Sequence, residues 1–151
     1  MQSNRGQELV VVGVAAGVRP LRRVDRRQQA RPPVQDHVGH VRQHAGATAE
    51  APAQLGATPY FVDVIGDSFN IDPNSAEAGI ADARQRGLNP RALIAVDLFG
   101  QPAEYRALRE VAERHGLVLI ADAAQSFGAT YENDAVGRLA DYTTTSFFPA
   151  K

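Results

Sequence analysis

Two residues in the second half of the chain could do chemistry, Lys151 and Asp122. Of the 16 basic residues, Lys151 is the only lysine, so a reaction that needs a lysine amine has one candidate. It follows Ser146-Phe147-Phe148-Pro149-Ala150, an aromatic and apolar setting. An ammonium desolvated in such surroundings gives up its proton more easily and becomes a nucleophile, as a Schiff base requires. The competing reading is an ordinary solvated surface lysine. Asp122 follows the apolar run Leu117–Ala121 and precedes Ala123-Ala124, so partial burial is expected. A buried carboxylate needs a cation or hydrogen-bond donors. Spacing alone favours a helix cap or a loop-fixing aspartate; the functional alternative is a carboxylate that faces a cationic ligand ring.

Other chemistries find little support. There is no cysteine, which removes disulfides, thiolate catalysis and Cys-ligated metals. His37, His40 and His44 form a His-x2-His-x3-His run, but no further ligands accompany them at zinc-site spacing, and no metal is expected. Residues 1–45 hold eight Arg against Glu8, Asp25 and Asp36, while the rest of the chain is acidic, and the whole carries −1. A basic arm of this kind can touch nucleic acid. It lacks interleaved aromatics and any known motif, so no nucleic-acid partner is expected.

These residues need elements to position them. The chain is 44% hydrophobic and 22% charged, enough for a core in a domain of 151 residues. No apolar run is long enough to cross a bilayer, and the start lacks the pattern of a signal peptide, so a cytoplasmic location is expected. Leu9–Val18 is apolar and punctuated by Gly, and suits a strand or a short helix. Residues 19–44 show no period of two or of 3.6 and are expected to be irregular or disordered. Thr48 reads as the N-cap of a helix over Ala49–Leu55, with Gly56 after its end.

Thr58–Val64 then reads as a strand, and Asp72-Pro73-Asn74-Ser75 starts a helix over Ala76–Arg86 that stops at Gly87. Ala92–Asp97 suits a strand buried on both faces. Pro102–His115 is the clearest helix, with Tyr105, Leu108, Val111 and Ala112 on one face. Arg106/Glu110 and Glu110/Arg114 are opposite charges four apart. Leu117–Ala121 is a second buried-type strand, a hairpin is expected around Glu132-Asn133-Asp134, and Tyr142–Phe148 is β-rich. Strands alternating with helices imply an α/β domain with a mostly parallel sheet. Ligands of such sheets sit at the carboxyl ends of the strands, where Asp122, Ser146 and Lys151 fall.

At this point several motifs align with one family. Asp122-Ala123-Ala124-Gln125-Ser126-Phe127-Gly128-Ala129 and Ser146-Phe147-Phe148-Pro149-Ala150-Lys151 resemble the DegT-type (DegT/StrS) sugar aminotransferases, which are fold-type-I pyridoxal-phosphate enzymes. Leu55-Gly56-Ala57-Thr58-Pro59, Val62-Asp63-Val64, Phe69-Asn70-Ile71-Asp72-Pro73 and Asp97-Leu98-Phe99-Gly100-Gln101-Pro102 resemble the same family, in the same order. The resemblance covers residues 47–151 and implies part of the large domain of that fold. Residues 1–46 do not match and form a separate, Arg-rich segment.

The resemblance implies roles for four residues. Lys151 is the Schiff-base lysine and proton carrier, Asp122 pairs with the pyridinium nitrogen, Gln125 bonds the ring hydroxyl oxygen, and Ser146 binds the cofactor phosphate. It further implies a nucleotide-linked keto-sugar as substrate, glutamate as amino donor, a homodimer, and a place in amino-sugar or surface-polysaccharide synthesis. Gln125 and Ser146 rest on the motif alone. The family's phosphate-cradling helix N-terminus has no counterpart in residues 1–46. The position of its ring-stacking aromatic is taken by His44-Ala45-Gly46-Ala47.

A fragment is therefore expected, one inactive by itself, with residues 1–46 arising from another reading frame or start. The alternatives are a remnant that keeps the fold without a working site, and the sugar dehydratases of the same fold. Lys151 argues against the dehydratases, in which a histidine replaces the lysine.

Overall fold

The computed structural model describes residues 8–13, as backbone only, and residues 47–147. The expected irregular stretch 19–44, the histidine run and Lys151 lie outside the described residues. Seven strands and three α-helices are described: β1 (Glu8–Gly13), α1 (residues 47–54), β2 (Thr58–Val62), α2 (Pro73–Gln85), β3 (Asn89–Val96), α3 (Tyr105–His115), β4 (Val118–Asp122), β5 (Thr130–Tyr131), β6 (Asp134–Ala135) and β7 (Tyr142–Thr144). Five strands form one sheet in the order β2-β1-β3-β4-β7, and every pair is parallel. The α/β class read from the sequence is the class observed. Of the two readings for the apolar N-terminal run, Glu8–Gly13 forms the strand, and it sits between β2 and β3.

Local chemistry explains most boundaries. Asp72 caps α2 by accepting the Asn74 N–H at 2.9 Å, and Pro73 occupies the first turn, where no N–H is needed. This helix starts three residues before the expected Ala76 because Pro73 and Asn74 are already helical. Gly116 ends α3 in the left-handed region (φ +65°), which a residue with a Cβ adopts only with strain. Glu132 and Asn133 both have positive φ and join β5 to β6 as a two-residue turn, at the place where a hairpin was expected. β7 is shorter than expected because β4 offers it partners only from Ile120 to Asp122.

The core lies where α2 and α3 meet each other and the sheet. Ile80, Leu93, Leu108 and Leu119 are fully buried in it. Tyr105, Leu108, Val111 and Ala112 face inward on α3, as the helical spacing requires. Pro90 and then Ala92–Val96 are buried without alternation, which marks β3 as covered on both faces. Gly79 lets α2 approach β2 closely: a Cβ there would stand 2.4 Å from Val62 Cγ1.

Two local readings are corrected. Thr48 is inside α1 and is not its N-cap; its hydroxyl is used elsewhere, as described below. The charged residues of α3 bond away from their own helix, Arg106 to Glu132 at 2.9 Å and Arg114 to Glu77. Intrahelical pairs four apart are worth only about 0.2–0.5 kcal/mol, so partners on the hairpin and on α2 readily displace them.

Candidate active site

The carboxyl ends of β3, β4 and β7 lie level. Val96 is in register with Asp122, and Asp122 with Thr144. The ladder runs one residue further, through Asp97 N to Asp122 O (3.1 Å) and Ala123 N to Thr144 O (2.8 Å). Each strand then breaks into a turn, and the chemically capable side chains collect there.

Asp122 is half-buried at the end of β4. Its Oδ1 accepts the Ala124 N–H at 3.2 Å, and its Oδ2 accepts the Thr48 hydroxyl at 2.6 Å. The carboxylate therefore fixes its own loop, and it also keeps acceptor capacity for a further donor, since two ionised oxygens offer about four lone-pair sites. Gln125 is half-buried in the same loop, and its Oε1 accepts the Phe99 N–H at 2.9 Å. With the carbonyl end engaged, the amide N–H groups are the end left to donate.

That bond helps to hold a strained turn. Phe99 has φ +56°, which is costly for a bulky residue. Asn70, only 2% exposed, supports the same turn by accepting Leu98 N–H (2.9 Å) and donating to Gln101 O (2.8 Å).

Behind Asp122 lies a carboxylate that sequence reading did not single out. Asp97 is fully buried. Its Oδ1 accepts the Ala103 N–H (2.9 Å) and the Tyr105 hydroxyl (2.7 Å), and its Oδ2 accepts the Ser126 hydroxyl (2.6 Å). Burial pushes its pKa up, the three donors pull it back in part, and the charge of Asp122 adds to the rise. Burial, and then the charge of Asp97, raise the Tyr105 hydroxyl's pKa, so it stays a donor. The advance signals for Asp97 were a polar residue closing an apolar strand and its place at the head of the Asp97-Leu98-Phe99-Gly100-Gln101-Pro102 motif, and neither assigned it a role.

Ser146 is half-buried two residues past β7. Its segment lies against the Asp122 loop, because the ring of the next residue, Phe147, meets Phe127 edge-on at 5.4 Å. Three of the four expected site residues are thus on adjoining turns at one edge of the sheet, with Thr48 and Asp97 added to them. The fourth, Lys151, lies outside the described residues. No group of His, Asp and Glu able to hold a metal occurs among the described residues.

Comparison with known proteins matches residues 45–151 to the model of the DegT/DnrJ/EryC1/StrS aminotransferase family. The chain belongs to that family. It is 46% identical over 105 residues to a pleiotropic regulatory protein of Geobacillus stearothermophilus. It is 42% identical over 105 residues to UDP-2-acetamido-2-deoxy-3-oxo-D-glucuronate aminotransferase of Pseudomonas aeruginosa. These matches take in 70% of this chain but only 27% and 28% of the relatives, so the family member spans about a quarter of their length. Among solved structures, a DegT DnrJ EryC1 StrS aminotransferase from Brucella abortus superposes with a TM-score of 0.73 at 35% identity, covering 97% of this chain and 32% of that one. The resemblance read from the motifs is the family found.

Proposed function

We propose that this chain carries part of the cofactor site of a pyridoxal-phosphate-dependent aminotransferase that acts on a nucleotide-linked keto-sugar. The observation that carries the reading is the hold on Asp122. A half-buried carboxylate at a strand end, fixed by Thr48 and the Ala124 N–H, suits a protonated ring nitrogen. The donor set agrees with the rest of the group. Gln125 has its N–H end available for a ring oxygen, and the Ser146 hydroxyl can donate to a phosphate. Pyridoxal phosphate, when bound, would supply an electron sink and carry the amino group from donor to acceptor.

The protein's residues would do the remainder. Asp122 keeps the ring nitrogen protonated by its charge. Gln125 orients the ring, Ser146 anchors the phosphate, and Lys151 holds the cofactor through its amine and carries a proton at that amine. Relatives named as aminotransferases of UDP- and dTDP-linked sugars support the substrate class. Glutamate as the donor, a cytoplasmic location and a homodimer belong to the same proposal. The exposed rings of Phe99, Phe127 and Phe147 around this edge favour a partner surface there.

Reduction tests the reading. The purified chain is mixed with pyridoxal phosphate, treated with borohydride and mapped by mass spectrometry. The expected result is an adduct on Lys151 in excess of that on the terminal amine. Labelling confined to the terminus would overturn a working lysine and leave the family relationship intact.

A further inference from the structure

Asp122 and Gln125 stand on the turn 123–126, and what fixes that turn is remote in sequence. Ser126 is 2% exposed. Its N–H closes the turn on Ala123 O at 3.2 Å, while its hydroxyl is given to Asp97 Oδ2 at 2.6 Å. One residue earlier, Gln125 Oε1 takes the Phe99 N–H at 2.9 Å. The turn is therefore pinned twice to the segment that follows β3. Only the Asp97 contact is fully buried.

On its other oxygen Asp97 gathers the Ala103 N–H and the Tyr105 hydroxyl, which anchors it to the start of α3. Tyr105 is itself 2% exposed and meets Tyr131 edge-on at 6.2 Å. A carboxylate out of contact with water costs folding energy unless donors surround it, and a small apolar side chain would fill this place more cheaply. Retaining three donors around a buried acid ties together three separate pieces of chain.

We propose that Asp97 is the positioning residue of the site: by holding Ser126 against the start of α3 it fixes the turn 123–126, and so sets where Asp122 and Gln125 stand. The hold on the turn is independent of the proposed function; its use in placing the two side chains against pyridoxal phosphate rests on that function. Asparagine is the discriminating substitution. Its carbonyl can accept from Ala103 and Tyr105, and its amide can donate to the Ser126 oxygen, so the three contacts survive without the charge.

The experiment uses the full chain and two readouts. Amide hydrogen exchange is followed without ligand, and pyridoxal phosphate affinity is followed by its absorbance. In Asp97→Ala and Ser126→Ala, exchange of residues 124–129 should rise about tenfold or more, the scale of losing one hydrogen bond to a charged group. Exchange in β2 and α2 should be unchanged. Asp97→Asn should stay within about twofold of the parent by the same reasoning. Affinity should follow the same order.

If Asp97→Ala does not fold, Ser126→Ala and Asp97→Asn still decide. Unchanged exchange of 124–129 in Ser126→Ala overturns the proposal. So does a loss in Asp97→Asn as large as that expected for Ser126→Ala, because charge and not position would then be the cause. A parent chain that takes up no pyridoxal phosphate counts against the proposed function, and the exchange readout still judges Asp97.

Discussion

At the scale of the residue, the site is built on acceptors whose donors come from far away in the chain. Thr48 and Asp122 are 74 positions apart and make a 2.6 Å bond. Removing the carboxylate takes away that bond, the Ala124 contact and the charge proposed to face the cofactor's ring nitrogen. A charge-assisted hydrogen bond is worth about 1.5–3 kcal/mol net, or roughly tenfold or more in affinity. Asp122→Ala is therefore expected to weaken pyridoxal phosphate binding at least tenfold in an absorbance titration. Parent-like affinity would remove Asp122 from the site.

Asp122, Gln125 and Ser146 were singled out from motifs that keep their order along the chain, and the structure sets them on adjoining turns. Thr48 and Asp97 were not singled out, although Asp97 opens one of those motifs. A threonine that starts a helix and a threonine that bonds a distant carboxylate look the same in one sequence. Asp97 looked like the last residue of a buried strand, and its three donors lie 6, 8 and 29 positions away.

At the scale of the element, the helices were readable from their apolar faces and caps, while their partners were not. The seam between α2 and α3 shows this. His115 Nδ1 lies 2.7 Å from an Arg84 guanidinium nitrogen, and its Nε2 lies 2.6 Å from Glu77 Oε1. A guanidinium can only donate, so Nδ1 accepts and Nε2–H donates to the carboxylate. Neither partner was visible in the spacing of α3 alone.

Gly79 makes the same point on the other side of α2. In an exposed helix interior, replacing Gly by Ala stabilises by about 1 kcal/mol. Here the added Cβ would lie 2.4 Å from Val62 Cγ1, so the helix or the strand must move. Overpacking of this kind costs about 1–3 kcal/mol. Gly79→Ala is expected to lower the midpoint of chemical denaturation, and a rise would show that the seam has slack.

At the scale of the whole molecule, the parallel sheet followed from alternating strands and helices, but its order did not. Nothing local in Glu8–Gly13 announces a place between β2 and β3, because strand order is decided by contacts between distant segments. The same distance dependence governs the response to acid. The hydrogen bond from His115, helped by the Arg114 guanidinium, holds the Glu77 carboxyl below its ordinary range against the opposing effect of desolvation. The Leu119 N–H and Arg109 do the same for Asp141, at 2.8 and 3.0 Å.

A carboxylate with a lowered folded pKa stabilises above its unfolded value, and that contribution is lost as pH falls through the folded value. Asp97 has the opposite sign, since its pKa is raised: its contribution is present at low pH and is lost as pH rises. Asp141 joins the middle of α3, through Arg109, to the edge where β7 meets β4, so its charge is the one to remove. Asp141→Asn should melt below the parent at pH 7. The gap should close as pH drops beneath the ordinary aspartate value of about 3.9. A gap that stays constant with pH would assign the loss to packing at the start of β7 and not to the charge that Arg109 and the Leu119 N–H hold in place.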